Sequence, residues 1–158
     1  MSIERLQPFL NGAFTPSETS RYMPVYNPST GEVIAETPCC TAAEVAFAVE
    51  AAKAAFPAWS NTPVAKRVEV LYRFRELLLE HMDELTMSVA RENGKVWNES
   101  EGDVLKAKEG TELATQVPSL MMGESIMDAS HGYDTVKYRE PIGVFAGIVP
   151  VNFPAMIP

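Results

Sequence analysis

The sequence is poor in the features that mark secreted, metal-binding and membrane proteins. Its 158 residues include two cysteines, Cys39 and Cys40, and two histidines. Adjacent cysteines reach disulfide geometry only with backbone strain, and they lack zinc-site spacing, so we expect a reducing compartment and no metal. No window approaches the roughly 20 uninterrupted apolar residues that cross a bilayer, and no apolar signal core follows Met1. These absences predict a cytoplasmic protein without a membrane partner.

Basic residues are also scarce. Thirteen Lys and Arg stand against 21 Asp and Glu, for a formal net charge of −8. Nucleic acids bind proteins through a positive surface field, so we expect no nucleic-acid partner. The length and the 46% hydrophobic content allow one domain with a core, or a piece of a larger protein.

Short apolar runs bounded by turn residues fill the first forty positions. Asn11-Gly12 predicts a tight two-residue turn, and residues 27–31 predict a second turn before another strand. From Thr41 the apolar period changes from two to 3.6. Thr41 and Glu44 form a capping box that starts a helix, and Pro57 is expected to stop it. Two surface β-hairpins followed by a helix are therefore expected.

Two more helical segments complete the middle of the chain. The second has Thr62 as its cap and Pro63 at its first position. It continues or restarts at Asp83 and ends at Gly94. The third runs from about residue 98 to residue 117 and ends before the proline that follows.

Strand patterns return in the last third. Residues 125–128 and 135–138 predict two strands around a turn at 131–132, with too little apolar surface to bury both faces. We expect this ribbon to pair with another chain or with a distant part of the same one. Residues 143–150 form the near-continuous apolar run of a parallel strand that is covered on both faces. Because this strand has no partner here, the sequence predicts an N-terminal fragment.

Asn152 is the best-placed candidate for chemistry. It lies between Pro150 and Pro154, directly after the predicted strand, where open α/β sheets bind ligands. Its side-chain amide can donate a hydrogen bond to a developing oxyanion. An Asn here can also satisfy the backbone of a turn, and spacing alone favours that alternative. Gly143 and Gly147 lie before and within the strand, so they indicate close packing rather than a dinucleotide loop.

Several stretches together resemble the aldehyde dehydrogenase superfamily. They are Asn11-Gly12, residues 26–34, residues 91–95 and residues 143–154. The resemblance covers the whole chain and roughly the first third of the family's chain. Through residues 118–124 and 152–158 the chain is most similar to the methylmalonate-semialdehyde dehydrogenase branch.

The resemblance implies an α/β fold that corresponds to the N-terminal part of an aldehyde-dehydrogenase-like structure. Its parts are surface β-hairpins, three helical segments, a β-ribbon arm and the first strand of a parallel cofactor-binding sheet. Residues 1–123 correspond to the N-terminal part of the NAD-binding domain. Residues 124–141 correspond to an arm that joins subunits of a homo-oligomer, and residues 142–158 to the truncated first strand with its oxyanion loop.

The implied reaction is oxidation of an aldehyde by NAD through a cysteine thiolate, with CoA as a co-substrate in this branch. Asn152 matches the amide that holds the thiohemiacetal oxygen. Phe153 and Lys106 match substrate-binding positions. The segment against the cofactor corresponds to Ile148, Val149, Pro150 and Val151.

Two positions depart from the family's pattern. Val151 stands where an aromatic residue is usual, and Lys106 stands where this branch has an arginine for the substrate carboxylate. A lysine ammonium cannot form the two coplanar hydrogen bonds that a guanidinium forms with a carboxylate. The family's nucleophilic cysteine, general-base glutamate and cofactor-binding lysine would all lie beyond Pro158, so we expect the chain alone to be inactive.

Two alternatives accompany this interpretation. The first is a semialdehyde dehydrogenase that releases a free acid instead of a CoA ester. The second is a stand-alone, non-catalytic interaction module that associates through its ribbon. Such a module would bury residues 143–150 against its own helices, whereas a fragment would leave them exposed.

Overall fold

Strands occupy both ends of the chain, and helices occupy its middle. A computed structural model describes residues 3–158. The strands are β1 (Glu4–Arg5), β2 (Phe9–Leu10), β3 (Ala13–Phe14), β4 (Tyr22–Tyr26), β5 (Val33–Pro38), β6 (Ser125–Ser130) and β7 (Tyr133–Val136). The helices are α1 (Ala42–Asn61), α2 (Val64–Glu80), α3 (Met82–Asn93), α4 (Trp97–Ala114) and α5 (Val117–Leu120). The predicted α/β class is confirmed.

Both predicted N-terminal hairpins form. β2 and β3 pair antiparallel around Asn11 and Gly12, whose φ angles of 49° and 84° are those of a tight turn. β4 pairs antiparallel with β5, and β1 adds to the other edge of β5 in parallel. The result is a three-stranded mixed sheet beside a two-stranded one.

The first helix does not stop at Pro57, so that prediction was wrong. α1 continues through Pro57 to Asn61, although a proline removes one backbone hydrogen bond and its ring crowds the preceding turn. The Pro57 carbonyl, near the end of the helix, accepts hydrogen bonds from Ser60 Oγ at 3.2 Å and Asn61 Nδ2 at 2.7 Å. Thr62 closes α1 instead of capping α2, because its hydroxyl donates to the Ala58 carbonyl at 2.9 Å.

The other helix boundaries are partly as predicted. The second segment breaks at His81 into α2 and α3, and α3 ends at Gly94 with a left-handed φ of 79°, as expected. The third segment is shorter than predicted, since α4 ends at Ala114. Pro118 lies inside the short α5, near its start, where a proline costs no backbone hydrogen bond.

The core lies where α4 packs against α2 and α3. Val68, Val89 and Val104 are buried there. The Arg75 guanidinium of α2 lies 2.7 Å from the Glu112 carboxylate of α4 and, with Lys108, holds the pKa of Glu112 below its usual value. Among residues 3–158, no helix combines the length and apolar character needed to span a bilayer.

The predicted ribbon forms, whereas the predicted final strand does not. β6 and β7 pair antiparallel, and every residue of both strands is exposed. Residues 142–158 contain no strand, which corrects the expectation of a parallel strand over 143–150. A strand needs a neighbour for its backbone hydrogen bonds, and no described segment pairs with these residues.

Candidate functional site

The candidate site is the loop that carries Asn152. Residues 151–156 form consecutive turns, and Asn152 lies exposed near their start. The loop rests against the junction of α3 and α4, where Gly94 caps the end of α3 and Val96 caps the start of α4. The fold therefore places the candidate amide donor beside the helical layer.

Two hydrogen bonds hold this loop on opposite sides of Asn152. The Asn93 side-chain amide, at the end of α3, donates to the Val151 carbonyl at 2.8 Å. The Met156 backbone N–H donates to Asp103 Oδ1 of α4, also at 2.8 Å. The backbone on both sides of Asn152 is thus tied to side chains of the two helices.

Asp103 is the most deeply buried charged group at the site. Its side chain is fully buried, and its second oxygen lies 2.8 Å from Lys95 Nζ, which is 17% exposed. The same ammonium lies 4.6 Å from the centre of the Phe153 ring, within the range of a cation–π contact. Both carboxylate oxygens therefore have charged or hydrogen-bonded partners, as a buried charge requires.

A cavity of about 480 Å³ lies between α3 and the segment that precedes Asn152. Its walls are mostly apolar. They include Leu85, Val89, Glu92, Val149, Pro150 and Val151. Three of the four residues predicted to lie against a cofactor therefore share one cavity. The fourth, Ile148, is fully exposed.

The two predicted substrate-binding residues are placed differently. Phe153 lies at the loop beneath Lys95 and is 40% exposed. Lys106 lies on α4, one helical turn beyond Asp103, and its ammonium pairs with the Glu109 carboxylate at 2.6 Å on the exposed surface. The structure brings Phe153 together with the Asn152 loop. The polar contact of Lys106 is to its own helix.

Sequence reasoning missed the residues that hold the loop. Asn93 and Lys95 lie in a stretch that only the family resemblance singles out, and Asp103 is not among the candidate residues. Its position gave one usable signal, because Asp103 lies between Ser100 and Val104, on the face of α4 that is buried. A carboxylate on a buried helix face requires a partner, and Lys95 is that partner.

The comparison with known proteins identifies the fold. Residues 14–158 match the Aldehyde dehydrogenase family. The chain belongs to the aldehyde dehydrogenase family. Among relatives of this aldehyde dehydrogenase chain, malonate-semialdehyde dehydrogenase of Bacillus pumilus (strain SAFR-032) is 43% identical over 156 residues, covering 99% of the chain and 32% of that protein. Methylmalonate-semialdehyde dehydrogenase [acylating], mitochondrial, of Arabidopsis thaliana is 44% identical over 154 residues, covering 98% and 25%.

Solved aldehyde dehydrogenase structures agree with these relatives. A protein of Sinorhizobium meliloti 1021, assigned as a methylmalonate-semialdehyde dehydrogenase and crystallised with NAD, superposes with a TM-score of 0.94 at 36% identity, over 99% of this chain and 32% of that one. Methylmalonate-semialdehyde dehydrogenase of Oceanimonas doudoroffii gives 0.93 at 36% identity, over 98% and 32%. The chain spans about a third of the length of most of these relatives. The family resemblance is confirmed, and nothing in the comparisons supports a non-catalytic module.

Proposed function

We propose that this chain contributes the first third of an NAD-dependent dehydrogenase that oxidises malonate or methylmalonate semialdehyde. The observation that carries the proposal is the Asn152 loop, whose backbone is held on both sides by α3 and α4. The names of the relatives supply the substrate class. A CoA thioester is the proposed product, by analogy with the acylating Arabidopsis relative, and the free acid is the alternative.

Asn152 is the proposed catalytic residue of this chain. When a thiolate attacks an aldehyde, its electron pair forms the C–S bond, and the carbonyl oxygen becomes an alkoxide. The Asn152 side-chain N–H donates to that oxygen, stabilising charge that is absent from the ground state. The thiolate comes from residues outside this chain, because Cys39 and Cys40 follow β5 in the N-terminal sheet and neither lines the cavity beside the loop.

NAD, when bound, supplies the hydride acceptor. The residues proposed to contact it fit a flat aromatic group, because Ile148 and Val151 present apolar side chains that are 103% and 83% exposed. Val149 and Pro150 complete this segment and line the cavity beside α3. The segment therefore offers apolar side chains directly before Asn152 in the chain.

Lys106 and Phe153 are the proposed substrate contacts. The Lys106–Glu109 pair is exposed on both sides, and pairs of this kind contribute little stability. The ammonium can therefore leave Glu109 for the carboxylate of an acidic aldehyde. Phe153 would supply apolar surface beside it.

Residues 124–141 are proposed to join subunits of a homo-oligomer. Both strands of this ribbon are exposed throughout, and Ile126, Met127 and Tyr133 present apolar side chains to solvent. We also propose that residues 1–123, 124–141 and 142–158 are the three structural parts of the chain and that the protein is cytoplasmic. The Arabidopsis relative is named as mitochondrial.

A chimera tests the proposed function. In the Sinorhizobium meliloti protein, this chain would replace the third that it matches with a TM-score of 0.94. We expect NAD-dependent oxidation of methylmalonate semialdehyde. Asn152→Ala should lower kcat by roughly 100- to 1000-fold, the usual effect of losing one oxyanion donor, with little change in KM.

Two results would contradict this proposal. Full activity in the Asn152→Ala chimera would remove Asn152 from catalysis. A folded chimera that binds NAD without oxidising either semialdehyde would exclude the substrate class. Asn98→Ala, at an exposed position early in α4, is the matched control and should leave kcat unchanged.

A further inference from the structure

A buried carboxylate is aimed at the backbone of the loop that carries the proposed oxyanion donor. We propose that Asp103, with Lys95 and Asn93, forms a set of positioning residues that fixes the Asn152 side chain in its working orientation. The inference rests on the role proposed for Asn152. In this proposal, these three residues position the Asn152 amide and do not contact the substrate.

The contacts of Asp103 divide between the fold and the loop. Oδ2 accepts from Lys95, which joins the α3–α4 junction to the middle of α4. Oδ1 accepts from the N–H of Met156, a residue that lies in a turn and not in a helix or strand. One fully buried carboxylate on α4 therefore binds the loop directly. Lys95 reinforces this link through its contact with the Phe153 ring, directly after Asn152.

The two anchors are needed together. Residues 151 and 156 are five residues apart, a length that spans up to roughly 17 Å when extended. A loop of this length that is held at one end leaves its middle free to move by several ångströms. Asn93 fixes the Val151 carbonyl, and Asp103 fixes the Met156 N–H. The loop backbone is therefore held on both sides of Asn152. A misplacement of about 1 Å is enough to weaken a catalytic hydrogen bond greatly.

Fold stability is a weak explanation for a buried ion pair. Replacing a buried pair by apolar residues of similar size is often neutral or stabilising. Apolar residues at 95 and 103 could keep α3 and α4 packed, but they could not accept the Met156 N–H. This difference allows positioning to be separated from stability in the same variant.

The test is NMR spectroscopy of the chain itself, with the double variant Lys95→Met/Asp103→Leu. Hydrogen exchange of the Met156 amide should become roughly tenfold to a hundredfold faster, which is the loss of one charge-assisted hydrogen bond. The side-chain amide signal of Asn152 should show increased fast motion. The matched control is Arg75→Met/Glu112→Leu, which removes the ion pair between α2 and α4. It should leave both signals unchanged.

The outcomes are distinct. A folded double variant in which the Met156 exchange and the Asn152 signal match the wild type would overturn the proposal. If that variant does not fold, Asn93→Ala decides, because it releases the Val151 carbonyl without leaving a buried charge. Increased Asn152 motion would then support the proposal, and unchanged motion would overturn it. No readout involves turnover, so failure here is distinguishable from failure of the proposed dehydrogenase function.

Discussion

Gly94 is a residue for which the structure leaves no room for a side chain. Its φ of 79° is left-handed, and a Cβ added there would lie 2.7 Å from Cγ of Pro28, in the turn between β4 and β5. The glycine therefore ends α3 and also lets the strand layer approach the helices. Backbone conformation and close packing require the same residue.

Gly94→Ala should destabilise the chain by about 1–3 kcal/mol, because the alanine meets both a strained φ and a clash. The free energy of unfolding in urea measures this loss. Gly102→Ala is the control, since Gly102 lies within α4 with nothing within 4 Å of an added Cβ. It should stabilise by up to about 1 kcal/mol. Equal effects of the two substitutions would contradict this account of Gly94.

At the scale of the element, the start of α1 depends on a carboxylate. Glu44 accepts from the Thr41 N–H at 2.6 Å and from the Glu18 N–H at 3.0 Å, while Thr41 Oγ1 accepts from the Glu44 N–H. Hydrogen bonds from the Ser17 hydroxyl and from Thr41 lower the pKa of Glu44 from 4.5 to about 2. The helix start and the loop before β4 thus share one charged acceptor.

This lowered pKa predicts how stability changes with pH. A carboxyl whose folded pKa is below its unfolded pKa stabilises fully above pH 4.5, and the contribution is lost as pH falls toward 2. Glu44→Gln should therefore lower Tm at pH 7, and the gap to the wild type should close near pH 2. Glu50→Gln, in an exposed pair with Lys53 of the same helix, should show little difference at either pH. A gap for Glu44→Gln that is constant from pH 7 to pH 2 would exclude the charged cap.

At the scale of the whole molecule, buried side chains are concentrated in the helices. Buried side chains lie mainly in α2, α3 and α4, whereas the ribbon and residues 142–151 are largely exposed. Ile148 has no cover at all, and Phe145 is 76% exposed. Segments without buried contacts or hydrogen-bonded partners open most easily.

Limited proteolysis with chymotrypsin should therefore cut between residues 138 and 153 before it cuts within the helices. Phe145 and Phe74 are the matched pair, because both rings are exposed while Phe74 lies within α2. Mass spectrometry of the earliest fragments should show cleavage after Phe145 and none after Phe74. Phe145→Ser should remove that fragment. First cuts inside α2 would mean that the helical layer is the less stable part.

Local features were predictable because they depend on residues close in sequence. The Asn11-Gly12 turn, the Thr41 capping box and the Gly94 helix end all formed where their residue types predicted them. The Thr62 prediction failed because the threonine hydroxyl donates to the Ala58 carbonyl in the last turn of α1 and not to α2.

The amino-acid sequence by itself predicted the family, the Asn11-Gly12 turn, the Thr41 cap, the Gly94 helix end and the ribbon, and it made Asn152 a candidate. Only the tertiary structure decided that Asp103 is buried, that Lys95 neutralises it and that Met156 is tied to it. It also decided that residues 143–150 form no strand. Turns and caps are closed by partners within about four positions, so their residues specify them directly. Burial, ion pairs and strand pairing depend on neighbours distant in sequence, and these exist only once the helices have packed.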